Sequence, residues 1–246
     1  HPKVVLIQVI DPSMKASDLH RQLAKDLIAT NGDLVNIFSI SANNSGASPF
    51  AFVQVLKEIL VETEEHMNLR EDLLELARQA YATNPLQMKL IDEFDSQYQA
   101  NQAIQWYTRS EAFLSKMLAR ASRVPDPDIL FKLRYFIQDL HGQIRSQTYS
   151  TGVTVYRPMH LPKKIVEEIQ RHQDGFLCFN QFLIVNKNQE HSSASTVKSE
   201  YRRILFQMEL GNTIPRAEIG GNSNQLVLPL CTPFKIVKVE SNAEDG

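Results

Sequence analysis

The chain has 246 residues, of which 43% are hydrophobic and 22% are charged, with 26 Lys and Arg against 28 Asp and Glu. This composition excludes a disordered, collagen-like or disulfide-rich protein and is typical of a globular fold with a packed core. The net charge of -2 supplies no basic field for nucleic acid, so we expect no nucleic-acid partner. No apolar stretch approaches the roughly 20 residues that cross a bilayer, so no membrane span is expected.

The two cysteines, Cys178 and Cys231, both lie in apolar runs typical of strands. Burial as small hydrophobic side chains is the simpler interpretation, and a disulfide is the alternative if their strands are neighbours. The low cysteine content, with no signal-peptide pattern, predicts a cytoplasmic protein. No Cys/His cluster has metal-ligand spacing, so no metal is expected. The histidines, His141 among them, are expected at the surface or at helix caps.

Residues 1–66 begin with strand signals. The run KVVLIQVI at residues 3–10 is rich in β-branched side chains and predicts a buried strand, and residues 33–40 (DLVNIFSI) alternate like a second strand. Between them, Ser17 can cap a helix that continues to Ala29. This segment predicts a partial β-α-β unit of unknown role, and its two strands need more sheet to pair with than the segment itself supplies.

Residues 67–150 are dominated by helical periodicity. Apolar side chains recur there at intervals of three and four residues, and Pro85, Pro125 and Pro127 mark the breaks between helices. Almost no strand signal interrupts this stretch, so it predicts a helical lobe.

From residue 151 to residue 240 the period changes to two, with one amphipathic helix near residues 162–171. The predicted strands are VTVY (153–156), FLCFNQFLIV (176–185), ILFQMEL (204–210), QLVLPL (225–230) and FKIVKV (234–239). A helical lobe followed by a mostly antiparallel sheet predicts the α+β class, and residues 241–246 are expected to form a polar tail.

Several segments are more specific than their periodicity. They are IDEFDSQYQANQAIQWYTR (91–109), FKLRYFIQDLHGQI (131–144), TVYRPM (154–159), GFLCFNQFLIVNK (175–187) and QLVLPLCTPFKI (225–236). Their order and content resemble the mono-ADP-ribosyltransferase family of the arginine-specific type, as a divergent member. The resemblance implies an ADP-ribosyltransferase-like domain over residues 67–240, with a helical lobe at 67–150 and a split, NAD-binding sheet half at 151–240.

The family's first motif is a strand arginine that holds the NAD pyrophosphate. Residues 154–157 (TVYR) match it and place Arg157 in that role, although Pro158 stands where a glycine is usual. A planar guanidinium suits the role because it offers paired donors to phosphate oxygens. The alternative interpretation of Arg157 is a salt bridge across the sheet to an acidic side chain.

The second motif is only half retained. The run FNQFL at 179–183 matches the approach to it, but the Ser-Thr-Ser that follows in the family is Ile184, Val185 and Asn186 here. Residues 192–196 (SSAST) could supply hydroxyls instead. The resemblance implies that NAD, as a substrate rather than a resident cofactor, would contact Tyr156, Arg157, Asn180, Phe182 and Asn186.

The third motif departs as well. Aligned on the strand LVLP (226–229), Gln225 stands at the family's catalytic glutamate and Ser223 at the substrate-directing position two residues earlier. A neutral amide keeps a hydrogen bond but not the charge that stabilises an oxocarbenium-like transition state, so catalysis is expected to be impaired. Glu218 is the alternative acid.

These motifs and departures predict a divergent mono-ADP-ribosyltransferase-like domain that is weak or inactive and retains NAD or nucleotide binding. One alternative is an active NAD-dependent protein-arginine mono-ADP-ribosyltransferase or NAD glycohydrolase. The other alternative is a protein-interaction module of a larger protein. The implied macromolecular partner is a protein, either as acceptor or as binding partner.

Overall fold

A computed structural model of the chain describes residues 3–9, 35–38, 49–62, 68–109, 111–123, 126–189 and 200–240. Within these ranges, two strands come first, a run of helices follows, and the other strands come last with one helix among them, so the predicted α+β class is confirmed. The predicted helix from Ser17 to Ala29, the hydroxyl-rich stretch at 192–196 and the tail at 241–246 lie outside the described residues.

The helices of the lobe are short. They are α1 (Pro49–Glu62), α2 (Leu69–Ala80), α3 (Pro85–Gln97), α4 (Ala103–Thr108), α5 (Phe113–Arg123), α6 (Pro127–Lys132) and α7 (Arg134–Arg145), and α8 (Lys163–Arg171) follows within the sheet half. Of the helices in the described ranges, none has both the length and the apolar character to cross a bilayer.

Prolines begin helices here as well as separating them. The Asn84 side chain accepts a hydrogen bond from the Gln87 backbone N–H, and Pro85 occupies the first turn of α3. Asp126 caps α6 in the same way, with Pro127 in its first turn. Proline suits this position because the N–H that it lacks would have no partner inside the helix.

An aromatic cluster forms the centre of the helical lobe. The Phe94 ring is fully buried, and its centroid lies 5.2 Å from that of Trp106, 5.7 Å from that of Phe113 and 6.2 Å from that of Phe136, in edge-to-face arrangements. Such pairs add to the free energy gained by burying apolar area. The aromatic side chains of the lobe therefore hold α3, α4, α5 and α7 together.

The strands form one nine-stranded sheet in the order β2-β4-β9-β1-β6-β3-β5-β8-β7. They are β1 (Lys3–Val9), β2 (Val35–Phe38), β3 (Val153–Pro162), β4 (Phe176–Phe179), β5 (Leu183–Asn186), β6 (Tyr201–Leu210), β7 (Ala217–Ile219), β8 (Asn222–Leu228) and β9 (Pro233–Glu240). β1 and β6 are parallel and all other neighbours are antiparallel.

The two N-terminal strands find their partners among the C-terminal strands. β1 lies between β9 and β6, whereas β2 lies at the outer edge beside β4. They are not neighbours, because β9 and β4 separate them, and the antiparallel pairings between them make β1 and β2 run in opposite directions. The sheet that these strands lacked within residues 1–66 is therefore supplied by the rest of the chain.

The apolar run at residues 176–185 forms two strands rather than the one that its composition predicts. β4 ends at Phe179 and pairs with β9 and β2, whereas β5 begins at Leu183 and pairs with β8 and β3. Residues 180–182 carry the chain between these two parts of the sheet. We call them the crossing segment.

The sheet is covered on both faces. Ile184, Val227 and Ala217 pack with the helical lobe, while Leu183, Val185 and other apolar side chains pack with α8 on the opposite face. Successive side chains of β5 and β8 therefore pack in two different hydrophobic cores, because neighbouring residues of a strand face opposite sides of the sheet.

Both cysteines are buried and free, so their interpretation as buried hydrophobic side chains is confirmed. Cys178 on β4 lies opposite Pro233 of β9, whereas Cys231 lies in the turn just before β9, with a φ of +54°, and no disulfide joins the two thiols. Burial raises the pKa of both thiols, which keeps them protonated and unreactive.

His141 is not at the surface as expected. It is buried on α7, and its Nδ1 has no hydrogen-bond partner among the described residues. Burial, together with the positive charges of Lys57 and Arg145, lowers the pKa of His141 to about 4. The imidazole is therefore neutral in the folded protein at neutral pH.

This lowered pKa predicts acid sensitivity. In the unfolded chain His141 takes up a proton near pH 6.5, whereas in the folded protein it does so only near pH 4. The free energy of unfolding should fall across that interval by about 3 kcal/mol from this group. We expect urea denaturation of His141→Gln to show a flatter pH dependence than the wild type, with exposed His160→Gln as the control. Equal slopes for wild type and His141→Gln would contradict this.

Candidate functional site

The sheet opens between β3 and β5. β3 is paired with β6 along its whole length, from Val153 to Pro162, but it meets β5 through one residue pair, Tyr156 opposite Asn186. Beyond that pair the two strands diverge. We call the opening between them the cleft. It is bordered by the crossing segment and by α4 of the helical lobe.

Three of the predicted site residues lie side by side at this point. Tyr156 on β3 is opposite Asn186 on β5, and Asn186 is opposite Gln225 on β8. The Gln225 amide Nε2 donates to the Asn186 Oδ1 at 3.2 Å. Because directly opposed residues of antiparallel strands share a face, the row Tyr156–Asn186–Gln225 presents uncharged polar groups on one face of the sheet.

The Arg157 side chain bridges the cleft. Its Nη1 donates to the Ile184 carbonyl oxygen at 3.0 Å, while its Nε is buried and has no hydrogen-bond partner among the described residues. The partner is a backbone carbonyl rather than the acidic side chain that the salt-bridge interpretation requires. Burial lowers the pKa of the Arg157 guanidinium and the nearby Tyr107 acts in the opposite direction, but an arginine remains protonated in proteins.

The buried Nε–H of Arg157, which has no acceptor among the described residues, is available to bind a ligand. An arginine presents Nε–H and one Nη–H along the same edge of the guanidinium, the edge that matches two oxygens of a phosphate or carboxylate. A buried donor without an acceptor costs about 1–3 kcal/mol. An anion placed on that edge would supply the missing acceptor, so the arrangement at Arg157 is suited to anion binding.

Tyr107 of α4 fixes the other wall of the cleft. Its hydroxyl donates to the Phe182 carbonyl oxygen at 2.8 Å, and its ring packs edge-to-face on the Phe182 ring at a centroid distance of 5.7 Å. Burial raises the pKa of Tyr107, so the phenol stays protonated and remains a donor. Two carbonyls near the start of β5, those of Phe182 and Ile184, are thus satisfied by side chains.

Tyr107 belongs to the segment 91–109 that carries the resemblance, but no place in the cleft was predicted for it. One signal was available, since a buried tyrosine hydroxyl needs a hydrogen-bond partner. That partner lies 75 residues away along the chain, and helical periodicity carries no information about such a contact.

Asn180 and Phe182 are buried in the walls of the site. The Phe182 ring packs in the core, and the residue contributes its carbonyl to Tyr107. Asn180 lines a cavity of about 20 Å³ together with Lys57, Ser122 and Leu230, beneath α1. The structure therefore does not add either side chain to the row of Tyr156, Asn186 and Gln225.

The β7–β8 hairpin places the third motif in a bulge. Gly220 and Gly221 form its turn with φ of +53° and +78°, a conformation that favours glycine. Ile219 pairs with Asn222 and Glu218 with Leu226, so residues 223–225 of β8 have no opposite residue on β7. Bulges of this kind redirect side chains and are frequent beside functional sites. Gln225 and the Ser223 backbone both lie in this bulge.

Glu218 does not reach the row. It lies opposite Leu226, the residue after Gln225, and therefore belongs to the other face of the sheet. Its carboxylate accepts a hydrogen bond from the Lys187 ammonium at 2.8 Å. The described residues also hold no group of three or more His, Cys, Asp or Glu side chains arranged to bind a metal ion.

The sequence matches no protein-family model and no curated protein. Among solved structures, the chain is similar to Plx2a, an ADP-ribosyltransferase toxin from Paenibacillus larvae, at 13% identity and a TM-score of 0.45, covering 72% of this chain and 90% of that one. It is also similar to the type III effector XopAI from Xanthomonas axonopodis pv. citri, at 13% identity and a TM-score of 0.46, covering 78% and 90%.

A third similar structure is the enzymatic component C2-I of the C2 toxin from Clostridium botulinum, at 18% identity and a TM-score of 0.43. The match covers 63% of this chain but only 42% of that protein. Of these three, Plx2a is named as an ADP-ribosyltransferase, the family that the sequence motifs resemble. At these identities and TM-scores the similarity transfers no residue role.

Proposed function

We propose that this chain is a divergent ADP-ribosyltransferase-like domain that binds NAD, or a related dinucleotide, and cleaves it slowly or not at all. The observation that carries the proposal is the Arg157 guanidinium at a split in the sheet, whose buried Nε finds no acceptor in the part of the chain that the structure describes. Tyr156, the residue before Arg157, begins the row in which Gln225 is an amide where the family has a carboxylate.

The pyrophosphate of NAD is the group that fits Arg157. With Nη1 held by the Ile184 carbonyl, the guanidinium is fixed in orientation before any ligand arrives. A fixed donor loses less conformational entropy on binding than a mobile side chain would. Burial also strengthens the attraction between the guanidinium and a phosphate, because the effective dielectric constant around them is lower than in water.

We expect slow or absent cleavage of NAD because Gln225 carries no negative charge. Release of nicotinamide from NAD leaves positive charge on the ribose, and a fixed carboxylate would stabilise that charge. Gln225 is neutral, and its amide is already hydrogen-bonded to Asn186. Losing one preorganised electrostatic group costs about 10²–10³-fold in rate. Glu218 is held by Lys187 on the opposite face, so it is poorly placed to act instead.

If cleavage persists, the acceptor that the resemblance implies is a protein arginine, directed by Ser223 in the β8 bulge. In that case the chain transfers ADP-ribose at a low rate rather than only binding the dinucleotide. The proposed compartment is the cytoplasm, where NAD is abundant and where the two free thiols are compatible with reducing conditions.

The role proposed for Arg157 predicts how its substitution changes the affinity for NAD. Isothermal titration should detect binding of NAD and ADP-ribose, and Arg157→Met should weaken it by at least about tenfold, or 1.4 kcal/mol. Nicotinamide alone lacks phosphate and should be unaffected by the substitution. Arg171→Met, which removes an exposed guanidinium on α8, is the matched control. Unchanged NAD affinity in a folded Arg157→Met protein would refute the assignment of Arg157.

The missing negative charge at Gln225 predicts how a carboxylate there changes the cleavage of NAD. Gln225→Glu returns a carboxylate to the row and should raise the rate of nicotinamide release from NAD by about 10²-fold, because it restores the stabilising charge. Gln170→Glu introduces the same charge at an exposed position on α8, away from the row, and serves as the control. A wild type as fast as Gln225→Glu, and inactivated by Glu218→Gln, would instead support the active-enzyme alternative.

A further inference from the structure

A groove lies between α3 and α4 in the helical lobe. It has a volume of about 520 Å³, which is within the range of sites that hold small ligands. We call it the amide groove, because three glutamine side chains line it. We define it by Glu93, Gln97, Gln102, Gln105, Trp106 and Arg109.

Helical spacing brings these side chains together and separates them from the cleft. Glu93 and Gln97 are four residues apart on α3 and therefore share a face. Gln105 on α4 and Arg109 just past its end are also four residues apart, and the Arg109 N–H donates to the Gln105 carbonyl at 3.1 Å. Tyr107, two residues after Gln105, is rotated from it by about 200° and contacts the crossing segment instead. The amide groove and the cleft thus lie on different sides of α4.

The two charges of the groove neutralise each other. The Arg109 guanidinium donates to both carboxylate oxygens of Glu93, at 2.7 Å and 3.1 Å. These hydrogen bonds lower the pKa of Glu93 and raise the pKa of Arg109, so both groups stay charged at neutral pH. The other residues that define the groove are uncharged. A ligand therefore meets a polar surface without a net charge.

The glutamines offer hydrogen-bonding groups that the fold does not use. The side-chain amides of Gln97 and Gln105 make no hydrogen bond with the described residues, and both side chains are exposed. Gln102 uses its Oε1, which accepts from the Gln99 backbone N–H at 3.2 Å, and its Nε2 makes no such bond. Donors and acceptors thus alternate along the groove.

Trp106 is the observation that points to a ligand. The residue is only 6% exposed, yet its indole N–H makes no hydrogen bond with the described residues. A buried tryptophan N–H usually has an acceptor. Because Trp106 lines the groove, a carbonyl oxygen bound there would supply the missing hydrogen bond.

We propose that the amide groove binds the main chain of a short, uncharged segment of a protein partner. A peptide group presents one N–H and one C=O, and a glutamine amide presents the complementary pair, so that the two groups can join through two hydrogen bonds. The Trp106 N–H donates to a further main-chain carbonyl. This inference goes beyond the function proposed for the cleft and does not rest on it.

The observations favour a peptide over a nucleic acid or a sugar. A nucleic acid needs positive charge for its phosphates, and the charge of Arg109 is neutralised by Glu93. A sugar binds best where its C–H groups stack on an open aromatic face. The Trp106 ring is almost fully buried, and the Arg109 guanidinium lies over it at 5.1 Å from the centroid. Main-chain hydrogen bonding needs neither feature.

The test titrates the full chain with N-acetyl-tetraglycine amide, a probe that has peptide groups and no side chains. The chain has one tryptophan, so the indole signal in a ¹⁵N–¹H correlation spectrum reports on the groove without ambiguity. That signal should move to a hydrogen-bonded position and reach saturation. The affinity should be the same at low and high salt, because no net charge is involved.

Paired substitutions test the role of the glutamines. Gln97→Leu combined with Gln105→Leu should weaken binding of the probe by about tenfold or more, because two hydrogen-bonding side chains are removed. Gln79→Leu combined with Gln170→Leu makes the same chemical change at exposed positions on α2 and α8, and should retain the wild-type affinity. Thermal melts establish that each variant is folded.

Three results would overturn the proposal. The first is an indole signal that does not respond to the probe, and the second is an equal loss of affinity in the two double variants. The third is tighter binding of methyl glucoside or of a single-stranded oligonucleotide than of the probe, which would assign the groove to another class of ligand. Arg157→Met should bind the probe as the wild type does, so that failure of the cleft proposal is distinguished from failure of this one.

Discussion

The hydrogen bond from the Arg157 guanidinium to the Ile184 carbonyl is the contact on which the cleft depends. It spans the place where β3 and β5 part, so it satisfies a carbonyl that the sheet leaves without a strand partner and also holds the guanidinium in one orientation. Tyr107 does the same for the Phe182 carbonyl from the helical lobe. Two side chains, rather than further strand pairing, therefore stabilise the split. One of them, Arg157, has a buried Nε–H without an acceptor among the described residues.

The electrostatics of the neighbouring row set the chemistry that this scaffold supports. Tyr156, Asn186 and Gln225 are all uncharged, and the Gln225 Nε2 donates to the Asn186 Oδ1. The nearest candidate carboxylate, Glu218, belongs to the other face because the β7–β8 register alternates side chains from one face to the other. In the proposed function, Arg157 supplies positive charge to hold a phosphate, while the row supplies no negative charge to stabilise a cationic transition state. For this reason we propose binding rather than turnover.

Much of the framework could be predicted from the sequence, because local signals determine it. Pro85 and Pro127 marked two of the breaks between helices, and the change of period near residue 150 separated the lobe from the sheet. The motif spacing also put Arg157, Asn186 and Gln225 on three strands that the structure does make neighbours.

What could not be predicted depends on non-local pairing. The run at 176–185 has a continuous apolar pattern, and only its partners on opposite sides of the sheet explain why it divides at the crossing segment. Which face of the sheet Glu218 lies on can be predicted only from the register of β7 against β8. The burial of His141 can be predicted only from the packing of α7 in the lobe.

The most direct test of the central claim observes the Arg157 Nε–H itself. In ¹⁵N–¹H correlation spectra selective for arginine side chains, with Arg157→Lys to assign the signal, titration of ADP-ribose should move the Arg157 Nε resonance to a hydrogen-bonded position as binding saturates. The exposed Arg171 signal should stay in place. An Arg157 Nε resonance that does not change while the ligand saturates its site would contradict the account, because it would show that the unused donor is not where the phosphate binds.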